Sequence, residues 1–416
     1  MRKLLLYLFT LMVMLSCRNE DIDPDKYIYP ISLQSSRNTE GIQLRWYSAL
    51  ALYRSNMMWP PGGVSGERIE VLYSKDDTLD YTVIHQASGE FSDTFLLPVA
   101  ESGSHHFFRL RATAENVKPY LSNIIHVQFD SNPTFEPLVE YPNTTPIVLG
   151  NFSSDGSGFV YSNYEEYVID EEQHEGYVTV LFDEISTQAE MLFPNANSPV
   201  WAPGENLIAF QYFSNDSPNR LYSNIGLYVL SEDSIVQLTT GEHQFDKPVW
   251  HPDGQSILFL SQNIEDGAYY DLYVYDINSG DFGALPTASG ITVGHFRPSY
   301  SPDGQKIAFA DYTEEYRYQI FLFTVETGQV DPMENSLWEN HSPAISPDGK
   351  WMAFLSNRSG LSEIWVKDLQ SGELFQITGD ETIYIESGLS WSPDSEKIYL
   401  KAYKEEQYGI YSVTVR

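Results

Sequence analysis

Three observations predict an all-β fold. Short runs of alternating apolar and polar residues recur along the chain, bounded by Gly, Pro, Asn and Asp. Aromatic residues, which favour strands, are plentiful, with 29 Tyr and 22 Phe. One turn phrase returns six times in the last two thirds of the chain. Together they predict a six-bladed β-propeller over 131–416, preceded by a β-sandwich over 28–130. At 416 residues the chain is long enough to bury both cores.

The N-terminus reads as an address. Residues 1–17 are MRKLLLYLFTLMVMLSC, with Arg2 and Lys3 before a short apolar run over 4–15. Such a run is too short to span a bilayer comfortably, and it is read as a signal peptide. The run Met14-Leu15-Ser16-Cys17 resembles the lipobox of bacterial lipoproteins, although that family prefers Leu where Met14 stands. The resemblance implies cleavage before Cys17 and acylation of that residue, and several acyl chains on one residue anchor stably. Cys17 is the single cysteine, so no intramolecular disulfide can form. Arg18-Asn19-Glu20-Asp21 lacks the Asp directly after Cys that signals inner-membrane retention. Its acidic pair resembles the export signal of surface lipoproteins in Bacteroidetes-type bacteria. The expectation is an outer-membrane lipoprotein facing the periplasm or the cell surface, with 18–27 as a flexible tether.

The region over 28–130 has the size of one sandwich domain. Alternating runs fall at Ile42-Gln43-Leu44-Arg45-Trp46, Arg68-Ile69-Glu70-Val71-Leu72-Tyr73 and His106-Phe107-Phe108-Arg109-Leu110-Arg111-Ala112. These runs resemble an immunoglobulin-like fold of the fibronectin type III family, with Trp46 in the place of its early core Trp. The family's corner tyrosine falls at His106, a departure from the pattern. The loop Met57-Met58-Trp59 offers apolar side chains that suit a partner contact.

The repeated phrase runs from Phe152-Ser153-Ser154-Asp155-Gly156 and Trp201-Ala202-Pro203-Gly204 to Trp250-His251-Pro252-Asp253-Gly254 and Tyr300-Ser301-Pro302-Asp303-Gly304. It closes with Ile345-Ser346-Pro347-Asp348-Gly349 and Trp391-Ser392-Pro393-Asp394-Ser395. Counted at Ser154 and then at Pro203, Pro252, Pro302, Pro347 and Pro393, the steps are 49, 49, 50, 45 and 46 residues, the period of one four-stranded blade. Pro sets φ, Asp bonds the local backbone and Gly takes positive φ, which makes the turn tight. A buried strand follows at once, as in Trp351-Met352-Ala353-Phe354. These copies resemble the WD-like repeat of TolB-type six-bladed propellers. The last copy lacks a fourth strand, and residues 135–141 are expected to supply it and close the ring.

The charge is strongly acidic, with 24 basic against 58 acidic residues and a net charge of −34. Such a surface repels phosphate backbones, so nucleic acid is not an expected partner. No Gly-x-Ser-x-Gly elbow, zinc motif, phosphate loop or EF-hand loop occurs, so no catalytic residue, metal ligand or cofactor is assigned. The polar residues just before each phrase are expected at the mouth of the central funnel: Asn197, Asp246, His295, Arg297, Glu339, His341 and Glu386. The expected function is a non-enzymatic binding or scaffolding module for a protein or glycan at the envelope. The alternative is a lyase or hydrolase acting on a polysaccharide or peptide in the funnel. That alternative requires Asp246, His295 and His341 to converge within hydrogen-bond reach.

Overall fold

The computed structural model describes residues 31–38, 41–48, 68–75, 81–88, 92–98, 104–114, 117–121, 125–129 and most of 135–415. All of the regular structure among them is β, apart from one short 3-10 turn at Leu230–Glu232. Among the described residues no helix is long and apolar enough to cross a membrane.

Six four-stranded antiparallel blades carry the architecture. Their inner strands are Ile147–Phe152, Ala196–Trp201, His243–Trp250, Ser299–Tyr300, Asn340–Ile345 and Ile383–Trp391. Each inner strand ends on the aromatic or aliphatic residue of the phrase, then turns through it. In the fourth blade the Ser301 Oγ donates to Asp303 Oδ1 at 2.5 Å, and Asp303 Oδ1 accepts from the Gln305 N–H at 3.0 Å. The Gly304 N–H closes the turn onto the Ser301 carbonyl at 2.8 Å, with Gly304 at φ +70°. These turn carboxylates are spent on their own loops, and Asp155 is held down to about 2 by the Ser157 and Ser153 hydrogen bonds.

The second strand of each blade is apolar on both faces because a neighbouring blade covers each face. Met352, Ala353, Phe354 and Leu355 are all fully buried. Phe245, Ile257 and Phe259 of the third blade pack with Val200, Ile225 and Leu227 of the second. Burying such side chains contributes roughly 1.5–3 kcal/mol each. Tryptophan N–H groups also tie blades together: Trp250 Nε1 donates to the Val200 carbonyl at 3.2 Å, and Trp391 Nε1 to the Ala344 carbonyl at 2.9 Å.

The ring closes as the sequence requires. Glu136–Tyr141 pairs antiparallel with Gln407–Thr414, so the strand before the first blade completes the last. The Tyr141 and Tyr161 hydroxyls, 2.7 Å apart, bind the closing strand to the first blade. An open stack would leave two bare sheet edges, and closure removes them.

The N-terminal region forms two sheets. One is Ile31–Asn38, Gly41–Ser48 and Ser92–Pro98. The other contains Arg68–Lys75, Thr82–Ser88, Ser104–Ala114, Val117–Leu121 and Ile125–Phe129. Leu44, Ile69, Val71, Phe108 and Leu110 form the core between them. His106 is buried there, with Nδ1 3.0 Å from the Tyr73 hydroxyl. The second sheet continues into the fifth blade, where Phe375 pairs in parallel with His126. The same apolar cluster reaches Met352, Trp365 and Leu374, so this region is packed onto the propeller's flank.

Candidate functional site

The inner strands share a defect that shapes the centre of the propeller. The ladder shifts register between Asn197 and Val200, between Asp246 and Val249, and between His341 and Ala344. Within each bulge one residue before a Pro takes a left-handed conformation: Ser198 at φ 53°, Lys247 at φ 52° and Ser342 at φ 54°. Such backbone costs about 1–3 kcal/mol per residue and needs local support. Support comes from the preceding side chain: Asn197 Oδ1 accepts from the Ser198 N–H at 2.8 Å, and Asp246 Oδ1 from the Lys247 N–H at 2.6 Å. In the fourth blade the inner strand shrinks to Ser299–Tyr300, and Arg297-Pro298 occupies the equivalent place.

These bulges face a channel of about 610 Å³ walled by all six blades. Its charged lining consists of Lys247, Arg297, Lys401 and Glu386, with His295 beside them. Glu386 and Lys401 pair at 2.6 Å. In a protein with a net charge of −34, the channel carries an excess of cations.

Behind the wall lies Asp246, 2% exposed. Its Oδ2 sits 2.6 Å from His295 Nε2 and 3.6 Å from Lys247 Nζ, and its Oδ1 accepts from the Ser198 hydroxyl at 3.3 Å. Burial pushes the carboxyl up. The Lys247 charge, the His295 contact and the Lys247 backbone N–H outweigh it and hold Asp246 well below the usual carboxylate range. Tyr270 stacks on His295 with ring centres 5.0 Å apart, and burial plus the Asp246 charge raise its hydroxyl to about 12.

Arg358 and Arg297 differ in how their donors are met. Arg358 is satisfied: it pairs with Glu334, donates to Asn340 Oδ1 at 2.8 Å and Ser356 Oγ at 2.9 Å, and lies over Phe354 and Trp365. Arg297 lines the channel and is partly exposed, but its Nε and Nη2 reach neither solvent nor a hydrogen-bond acceptor among the described residues. Burial pulls its guanidinium down to about 10 against the opposing Asp246 charge, so it stays cationic at neutral pH.

Residues 292–416 match the TolB beta propeller domain family. The propeller is TolB-like. A Tol-Pal system protein TolB of Francisella tularensis is 28% identical over 258 residues, covering 60% of this chain and 54% of that protein. An uncharacterized peptidase, YuxL, of Bacillus subtilis is 26% identical over 199 residues, covering 39% of this chain and 30% of that protein. The chain thus spans about half or less of these curated relatives. The solved TolB of Acinetobacter baumannii aligns with a TM-score of 0.47 and 14% identity, covering 93% of this chain and 80% of that one.

The TolB-like propeller distributes the expected mouth residues over two shells. His295, Arg297 and Glu386 reach the channel wall. Asn197 and Asp246 stand behind it as bulge supports. His341 also stands behind, stacked on Phe296 at 4.4 Å with Nδ1 3.1 Å from Ser342 Oγ, and burial lowers its imidazole to about 4. Glu339 is held by backbone bonding to Asn357. Asp246 and His295 therefore meet, while His341 makes its contacts with Phe296 and Ser342. Among the described residues no three His, Cys, Asp or Glu side chains gather as a metal group. Cys17 and the loop Met57-Met58-Trp59 lie outside the described residues.

Sequence reasoning missed Lys247 and Lys401. A signal for Lys247 was present: a residue-Pro pair precedes the closing apolar residues in four copies, as Ser198-Pro199, Lys247-Pro248, Arg297-Pro298 and Ser342-Pro343. It also missed an arm. The hairpin of Gly158–Ile169 and Glu172–Asp183 outruns its inner strand, whose last pair is Ile147 with Asn163. Beyond that pair it carries Glu165, Glu166, Glu171, Glu172 and Glu175. At its base Tyr177 lines the channel, and the Tyr167 hydroxyl donates to Asn195 Oδ1 of the second blade at 3.0 Å.

Proposed function

We propose that this protein is a non-enzymatic binding module of the cell envelope, anchored to the outer membrane by a lipid on Cys17, with the propeller channel as its contact face. One observation carries the reading: six blades surround an open channel with a cationic lining, and side chains such as Asn197 and Asp246 brace the bulged strands of its wall. Rigid, preorganised walls favour binding because little side-chain freedom is lost. The envelope setting draws support from the sequence of residues 1–17 and from the similarity to a protein named for the Tol-Pal system. The expected partner is an envelope protein, with a glycan as the other candidate. In this reading the N-terminal region is a fibronectin type III-like sandwich braced against the fifth blade, and the 57–59 loop is a second contact.

A second reading, an enzyme, is favoured by the Asp246–His295 contact at 2.6 Å, because a carboxylate that orients an imidazole is a common arrangement for proton transfer. The stacked position of His341 removes the third member that this reading invoked.

The test is affinity capture of the lipidated chain from its native envelope, with Lys247→Glu run in parallel. The binding reading expects a partner that the wild type retains and the variant loses. Equal capture by both, or turnover of an offered glycan or peptide that Asp246→Asn abolishes, would count against it.

A further inference from the structure

Resting on the reading of the channel as the contact face, we propose that it contains an oxyanion site, built from Arg297 and Lys247 with His295 at its edge, that takes a carboxylate or phosphate group. The three side chains come from the junction of the third and fourth blades and line one cavity. A single carboxylate, Asp246, serves all of them: it contacts Lys247 and His295 directly, and only its field reaches Arg297. The other anion on the wall, Glu386, is already engaged with Lys401 at 2.6 Å. The local balance is therefore short of negative charge inside a strongly acidic protein.

Two donors of Arg297 are shielded from solvent, so an anion in the channel meets them only as the side chain turns toward it. Arg297 Nε and Nη2 are donors enclosed without an acceptor among the described residues. Donors shielded from water without an acceptor are costly, and a cation short of partners in a cleft is a candidate for ligand binding. The same propeller shows how a purely structural arginine is handled, with Glu334, Asn340 and Ser356 all placed on Arg358. A planar fork of N–H donors suits a carboxylate or phosphate, and a nearby ammonium adds a second point of attachment. The acidic arm beside the mouth would repel an extended polyanion, which favours a compact anionic group presented singly.

Isothermal titration of the full chain with acetate, succinate and inorganic phosphate tests this, using Arg297→Gln, Lys247→Met and, as a control at an exposed lysine outside the channel lining, Lys350→Ala. The expected result is saturable binding of at least one anion, weakened tenfold or more by Arg297→Gln and several-fold by Lys247→Met, and unchanged by Lys350→Ala. Binding of the carboxylates alone assigns a carboxylate, and binding of phosphate alone assigns a phosphate. Without ligand, Arg297→Gln should melt at the same temperature as the wild type or higher, and the anion should raise the melting point of the wild type more than that of Arg297→Gln. No binding by any of the three anions, or equal binding by wild type and Arg297→Gln, overturns the proposal. If the anions fail while partner capture still depends on Lys247, the anion site alone falls. If the anions bind and no partner is captured, the contact-face reading falls instead.

Discussion

His295 Nε2 lies 2.6 Å from Asp246 Oδ2, and this contact joins the third blade to the fourth at the wall of the channel. It is asymmetric: the carboxylate is almost fully buried while the imidazole is half exposed, at 3% and 50%. It adds a polar tie to a seam otherwise held by apolar packing of Leu258, Leu260 and Leu272 against Ile307, Phe309 and Phe323.

Replacing Asp246 by Asn separates two roles. The amide can still support the bulge, as Asn197 does one blade earlier. The charge that holds Lys247 and His295 is lost, so stability should fall by about 1–3 kcal/mol. Asp246→Ala removes the bulge support as well and should cost more. Urea denaturation of the two variants measures the difference, and equal losses would show that the bulge does not depend on the side chain.

His341 makes stability depend on pH with a definite sign. Its imidazole is lowered to about 4 in the folded chain, against an ordinary value near 6.5. Its contribution is therefore complete above the unfolded value and is lost as pH falls from about 6.5 towards 4, because the unfolded chain takes up the proton first. The loss should not exceed about 3 kcal/mol. Denaturation of wild type and His341→Gln at pH 7.5 and 4.5 isolates it: the variant should lose less stability between the two.

Arg358 should be intolerant of losing its partner. Glu334→Gln leaves the guanidinium enclosed with only neutral acceptors, Asn340 and Ser356, and should destabilise by about 3–5 kcal/mol. Exchanging both residues for apolar ones of similar volume should cost far less. Thermal unfolding of the single and double variants checks the pair.

Gly150 marks a close approach of backbones at the channel wall. A Cβ there would stand 2.2 Å from the Val160 carbonyl oxygen and 2.6 Å from that of Pro199. Neither can give way without moving a strand of the first or second blade. Gly150→Ala should therefore cost about 3 kcal/mol, the upper end of the overpacking range. Gly204→Ala, with no atom within 4 Å of its Cβ, is the matched control in a chemical-denaturation assay.

Much of this fold was legible because each blade repeats a local rule. The turn phrase needs Pro, Asp and Gly at fixed offsets for backbone reasons, so its spacing survives in sequence. The closing strand was legible by subtraction, since the copy ending at Thr414 had no partner for its outer edge. The channel was less legible. Polar residues near each phrase were visible, but the bulge decides which of two neighbours faces inward, and it sets Lys247 on the wall and Asp246 behind it. Lys401 comes from a second strand and is brought to the channel only by tertiary packing. The arm escaped notice because its polar, acidic run lacks the apolar alternation that marks the other strands.

The most direct test of the channel as the contact face is quantitative capture from the native envelope by wild type and Lys247→Glu, after matched melting curves show both chains folded. A contact face in the channel requires a partner enriched by the wild type and reduced at least tenfold with the variant. Undiminished capture by Lys247→Glu would contradict it and move the contact to another surface.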